Sequence, residues 1–444
     1  MDPRLQRLRR CRVESSPHVK AEGLFVPATL RDRVSVRANL RKWFPSTLVE
    51  RLPDQPHEHH ETKPQMSTDQ AEFYQKELKE MRIFAGGPAY PLATEICSQL
   101  DSKLGRAQLN RFHDGENFVR LLDNVRGKSV FIIQTAPSGL TGSDALHSSL
   151  MEMLFMVTAA RRASAEKITC VLPYLPYLRQ NAVKTDHTSP QPSSDITKLL
   201  SCMGADRVVL VDAHNERVEG YFPESMPCVN LMPYGLAAQY LKSKELVNPV
   251  VVAPENRTLE RTKLFWRILK RTVENPTMAT IVHAKNEREH CEDDEVKGEE
   301  MDSGPGYEKV RLDAAKAASS RWVVGDVKGR DCVIVDDIID SGTRSVNAAN
   351  ALKRRGARNI YLYATHGLFS KGCLDLINNS VIDEVIVTNS IPIPSQSLTD
   401  KVTVISLGKL LGETIKRLHA GEGISTLHKD VEADEERMAS ERRQ

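Results

Sequence analysis

The chain has 444 residues, long enough for two or three domains of ordinary size. Its 61 basic residues against 59 acidic ones leave a formal net charge of +2 (61 − 59), which removes any bulk electrostatic case for nucleic acid or a membrane surface. The eight cysteines lack paired spacing, as in a reducing cytoplasmic compartment, and no apolar run approaches the roughly 20 residues that span a bilayer, so a soluble protein is expected.

Residues 1–80 have the composition of a tail or linker. Arg4, Arg7, Arg9, Arg10 and Arg12 crowd the start, as in an organelle presequence. The helical hydrophobic face is weak, which favours a plain disordered extension. From 81 onward apolar strands alternate with amphipathic helices, predicting an α/β fold with mainly parallel sheets. Val125-Arg126-Gly127-Lys128-Ser129 feeds the strand Val130-Phe131-Ile132-Ile133; a helix near 159–165 and a strand at 168–172 follow. Val208 to Val211 reads as a strand ending in Asp212-Ala213-His214, and a strand at 279–283 precedes Lys285 and Arg288. The acidic run 287–306 has little to bury and reads as a solvated insertion. Val327-Lys328-Gly329-Arg330-Asp331 then repeats the basic-glycine lead-in before a strand Cys332–Val335, a helix near 346–357 and a strand at 360–364. The repetition predicts two similar domains, 81–232 and 233–427, each a mainly parallel sheet flanked by helices, with a charged tail at 428–444. The cleft between such domains is the default ligand site.

The stretch from Val333 to Ser345 carries the sharpest chemical signal. Asp336 and Asp337 are expected where a buried strand stops, placed to accept hydrogen bonds from vicinal hydroxyls or to hold a divalent metal. Asp340, Ser341, Gly342, Thr343 and Arg344 form a small-residue turn opening a helix, a setting that attracts phosphate. A single Asp there would be an ordinary helix cap. Two adjacent acids, a third at Asp340 and the hydroxyl-bearing turn favour a sugar-phosphate site.

Several further motifs stand in order between Met81 and about Leu427: Arg111-Phe112-His113-Asp114-Gly115-Glu116, Pro176-Tyr177-Leu178-Arg179-Gln180, Val211-Asp212-Ala213-His214, Val324-Gly325-Asp326 leading into Asp336-Asp337, and Ala364-Thr365-His366-Gly367. On these the chain resembles the ribose-phosphate pyrophosphokinases. The resemblance implies two phosphoribosyltransferase-like domains. It also implies transfer of pyrophosphate from MgATP to ribose 5-phosphate, with Mg2+ as cofactor. By the same resemblance Phe112, Asp114, Glu116, Arg179 and Gln180 would hold ATP, and Asp336, Asp337 and Asp340 to Arg344 would hold ribose 5-phosphate. His214 and Glu255 would serve the metal, and Lys285 and Arg288 would stabilise the transferred group. A homo-oligomer, or a hetero-oligomer with related synthetase subunits, is implied too. The departures from the pattern are specific. Thr343-Arg344 replaces a Gly-Thr pair, Pro254-Glu255-Asn256-Arg257-Thr258 lacks the usual glycines, and Lys285 and Arg288 are spaced one residue too far apart. The loop after Gln180 is only weakly basic. An active synthetase, a non-catalytic synthetase-associated regulatory subunit and a phosphoribosyltransferase are the three readings, the last being the weakest because it explains only the 336–345 motif.

Overall fold

The apolar, β-branched runs become the buried strands of two sheets in the computed structural model, which describes residues 80–137, 143–180, 190–215, 217–283, 321–370, 372–394 and 398–424. All of these belong to one compact unit, Met66–Gln444. The acidic run 287–306, Lys285, Arg288, the tail 428–444 and all but the last residue of the 1–80 extension lie outside the described residues.

The N-terminal half contains β1 (Met81–Ala85), α1 (Tyr90–Gln99), β2 (Ala107–Arg111), β3 (Asn117–Leu121), β4 (Ser129–Ile133), α2 (Ser143–Arg162), β5 (Lys167–Leu172), α3 (Pro192–Met203), β6 (Arg207–Val211) and β7 (Cys228–Leu231). Its sheet runs β1-β4-β5-β6-β7, with every pairing parallel, and β2–β3 stands apart as an antiparallel hairpin. The C-terminal half contains α4 (Tyr234–Lys242), β8 (Val250–Ala253), α5 (Leu259–Thr272), β9 (Thr277–His283), β10 (Arg321–Val324), β11 (Cys332–Ile339), α6 (Thr343–Arg354), β12 (Ile360–Gly367), α7 (Cys373–Asn378), β13 (Glu384–Thr388), β14 (Val402–Ile405) and α8 (Gly408–Ala420). Its seven-stranded sheet runs β10-β9-β8-β11-β12-β13-β14, and within it β10 runs antiparallel to β9. Buried on both faces, the central strands are apolar runs rather than alternating ones.

The repeat is visible in its turns. Gly127 and Gly329 both adopt positive φ, at 63° and 69°, and the following amides, Lys128 and Arg330, donate to the carbonyls of Val125 and Val327 at 3.1 and 3.3 Å. A basic residue follows the left-handed glycine each time, and a parallel strand follows that.

Helices cover both faces because their apolar positions recur at helical spacing. In α5 the buried residues are Arg261, Thr262, Phe265, Ile268 and Leu269, one continuous stripe. The last described helix, α8, crosses back: Leu411 and Ile415 pack with Met81, Ile83, Phe131 and Val209 of the N-terminal sheet. A second set of contacts joins the halves where Ala136, Tyr174, Ile338, Leu368 and Ile391 form a small apolar cluster. Beside it Thr135 Oγ1 donates to the Ser390 carbonyl at 2.5 Å. Among the described residues no helix is long and apolar enough to cross a membrane.

Candidate active site at the carboxyl ends of the two sheets

Strands β5 and β6 of one sheet and β11 of the other lead into a common cleft lined by Tyr174, Leu178, Arg179, Val211, His214 and Ile338. This is where open α/β sheets collect ligands. Asp336 and Asp337 lie beside it within β11, next to Ile338 and only 1% and 4% exposed. They do not follow a strand that stops at Val335. The strand continues to Ile339, and its ladder with β12 takes in Asp336, Ile338 and Ile339, so the acids sit inside the sheet rather than beyond its end.

Adjacent strand residues face opposite sides, and the two carboxylates keep different company. Asp337 Oδ2 lies 2.5 Å from His214 Nδ1 and 3.9 Å from Arg261 Nη2. Burial alone would push its pKa up; the His214 hydrogen bond and the Arg261 charge outweigh it and hold the carboxyl far below the ordinary range. Asp336 Oδ1 accepts the Asp337 amide at 3.0 Å. Its Oδ2 is buried without a hydrogen-bond donor and lies 3.4 Å from Arg344 Nη2. Burial dominates here and pushes Asp336 up to about 7 against the pull of Arg344. The pair is therefore asymmetric, with one acid inclined to keep a proton and its neighbour ionised.

The turn after β11 is built on Gly342, whose φ of 76° suits a residue without Cβ; a Cβ there would sit 2.9 Å from Cys373 Sγ. Gly342 also starts α6, so the helix begins at Thr343, not near Val346 as expected. Arg344 consequently stands in the first helical turn, where the dipole disfavours a cation. It faces Glu255 Oε1 at 3.8 Å as well as Asp336, and these acids offset that cost. Ser341 Oγ accepts the Thr343 amide at 3.4 Å, a weak contact that ties the turn. Asp340 Oδ2 accepts from Arg179 Nη1 at 2.6 Å, and its other oxygen from Ser370. These donors overcome burial and hold Asp340 low.

Arg179 therefore bridges the halves, and His214 does the same through Asp337. Gln180 is exposed beside Arg179. Phe112, Asp114 and Glu116 occupy the tip of the β2–β3 hairpin, closed by Phe112 N–H to the Glu116 carbonyl at 2.8 Å and Glu116 N–H to Asp114 Oδ1 at 3.1 Å. Phe112 is 55% exposed, its ring edge against Phe118. Among the described residues the hydrogen bonds of this tip stay within it, and none joins it to the Asp336–Asp337 cluster. Glu255 starts a short 3-10 turn and also pairs with Arg257 at 3.1 Å.

Sequence reasoning missed Arg261. It is 7% exposed and donates through Nη1 to Asp212, whose other oxygen accepts from Thr365. A guanidinium inside the apolar stripe of α5 was the available signal.

A family model described as the N-terminal domain of ribose phosphate pyrophosphokinase matches residues 81–204, and one described as the phosphoribosyl synthetase-associated domain matches residues 245–429. The ribose-phosphate pyrophosphokinase of Vibrio parahaemolyticus is 36% identical over 353 residues, covering 79% of this chain and 99% of that protein. The chain belongs to the ribose-phosphate pyrophosphokinase family. The Shewanella oneidensis ribose-phosphate pyrophosphokinase is similar to the same extent, 36% identical over 353 residues. The crystal structure of phosphoribosylpyrophosphate synthetase from Mycobacterium smegmatis aligns with a TM-score of 0.64 at 29% identity, covering 77% of this chain and 99% of that one. Both halves are accounted for by the ribose-phosphate pyrophosphokinase family, which a single-domain phosphoribosyltransferase would not do.

Proposed function

We propose that the chain transfers the β,γ-pyrophosphoryl group of MgATP to the anomeric hydroxyl of ribose 5-phosphate, giving 5-phosphoribosyl 1-pyrophosphate and AMP for nucleotide biosynthesis. The hydroxyl oxygen bonds to the β-phosphorus and gives up its proton to solvent, the bond from that phosphorus to the α,β-bridging oxygen breaks, and AMP leaves with that oxygen. One observation supports this above the others: the buried Asp336–Asp337 pair of one sheet meets His214 from the strand end of the other, with Arg179 joined to Asp340 alongside.

In this reading Asp336 and Asp337 orient the ribose hydroxyls, and the 340–344 turn takes the 5-phosphate. Arg179 and Gln180, with Phe112, Asp114 and Glu116, hold the nucleotide. Lys285 and Arg288 steady the charge on the transferred group. The reaction asks chiefly for positioning and charge neutralisation, which this set of side chains suits. Among the described residues no three His, Cys, Asp or Glu side chains converge as a metal cage. Mg2+ is commonly held by one or two carboxylates together with substrate phosphates, and Asp336, whose Oδ2 is buried with no hydrogen-bond donor, and Glu255, which faces the same Arg344, would supply them. When bound, the ion would neutralise phosphate charge. The protein would act in the cytoplasm as a homo-oligomer or with related synthetase subunits.

The second reading, a non-catalytic synthetase-associated regulatory subunit, is favoured by one contact: Arg344 lies on both Asp336 and Glu255. AMP release from MgATP and ribose 5-phosphate, compared with an Asp336→Ala control, separates the two. Release at the control level, with co-purification of a second synthetase, would sink the enzyme.

A further inference from the structure

Arg261 lies in α5, three residues beyond the Pro254–Thr258 segment, and its guanidinium is among the most deeply buried charges described, with side-chain exposure of 6%. Taking such a cation out of water is costly unless the surrounding acids and hydrogen bonds offset it. Nη1 donates to Asp212 and lies 3.0 Å from the Tyr234 hydroxyl; Nη2 reaches to 3.9 Å from Asp337 Oδ2. One acid follows β6 of the N-terminal sheet and the other lies in β11 of the C-terminal sheet. A single cation is thereby shared by the two halves.

Asp212 is fully buried and adopts φ of 43°, a left-handed conformation that is costly for a residue other than glycine. Its side chain is gripped by Arg261, Thr365 and the Tyr234 hydroxyl, and its carbonyl accepts from His366 Nε2 at 3.0 Å. The strained residue sets the direction in which the chain leaves β6, and His214 comes two residues later. Asp337 is the acid that bonds His214. Arg261 thus holds both members of the His214–Asp337 pair, Asp337 directly and His214 through Asp212.

We propose that Arg261 is the positioning residue of the transfer site, aligning the ribose-side carboxylate with the nucleotide-side histidine across the cleft. This rests on the function proposed above. A purely structural ion pair would need Asp212 alone. The second contact, toward the oxygen that already accepts from His214, is what ties the cation to the chemistry.

The test uses the full-length protein with histidine labelled in 15N, the His214 signal being identified by its loss in His214→Gln. The variants are Arg261→Met and Arg261→Lys. A double variant, Asp212→Asn/Arg261→Met, leaves no buried carboxylate uncompensated at 212 and serves where Arg261→Met does not fold. In the Met-bearing variant that folds, the His214 Nδ1 resonance at fixed pH is expected to move. Its kcat for AMP release should fall by about 10²-fold, while KM for ATP changes by less than about threefold. Arg261→Lys, which keeps a cation, should recover part of both effects. A folded Met-bearing variant with His214 at its wild-type position and kcat within about twofold of wild type would overturn the proposal. Wild-type protein that releases no AMP while His214 still responds to Arg261 would refute the transfer function and leave the alignment standing.

Discussion

Asp336 and Asp337 share a strand and differ in proton affinity because one faces Arg344 with no hydrogen-bond donor on Oδ2 while the other accepts from His214 beside Arg261. The difference has a sign that can be measured in metal-free protein. Asp336 is raised to about 7, so between about pH 4, the unfolded value, and pH 7 the folded chain binds this proton more tightly than the unfolded chain, and stability falls as pH rises through that window. Asp337 is lowered, so its contribution is present above the unfolded value and is lost as acid protonates it. Asp336→Asn removes the first effect, while Asp337, still held low by His214 and Arg261, stays ionised across the window. Its melting temperature relative to wild type should therefore rise between pH 5 and pH 8 by several degrees, at roughly 2–4 °C per kcal/mol. A flat difference across that range would refute the assignment. Arg344 supplies a related expectation. It pulls Asp336 down, so Arg344→Thr should raise the pH at which ribose 5-phosphate binding by calorimetry reaches half its maximum. A large gain in turnover would instead identify Arg344 as an obstruction.

At the level of elements, the turn between β11 and α6 depends on a backbone that other residues resist. Gly342→Ala meets both the left-handed penalty, about 1–2 kcal/mol, and the Cys373 sulfur, so the variant should melt lower and bind ribose 5-phosphate more weakly. Adding Cys373→Ala should return the part due to the clash and leave the part due to φ. The turn's existence was legible in Asp340-Ser341-Gly342, as were the alternating strands and helices and the doubled basic-glycine lead-in. The continuation of β11 through Asp336 and Asp337 was not legible, since acids at a strand's end mark a stop in local propensity and only the partner strand β12 overrides them. Arg261 escaped for a similar reason. Its place on the apolar stripe of α5 was readable, but on so charged a helix the burial of one Arg is decided by Asp212 and Asp337, 49 and 76 residues away (261 − 212 and 337 − 261).

Across the whole molecule, the cleft depends on contacts that cross between halves: Arg179 to Asp340, His214 to Asp337, Thr135 to Ser390 and α8 on the N-terminal sheet. Leu411 is fully buried in that last contact, and Leu411→Ala should cost about 2–5 kcal/mol in urea unfolding, as a single transition shared by both halves. Two separate transitions, with only one displaced, would contradict it. The crossing helix also bears on how the chain is made. Residues 81–231 are synthesised well before Gly408–Ala420, and the part of their sheet face that α1 leaves uncovered stays wet until that helix has left the ribosome. The nascent N-terminal half therefore carries an exposed apolar surface until α8 has emerged, and chaperone dependence should be greatest for chains stalled or truncated just before residue 408.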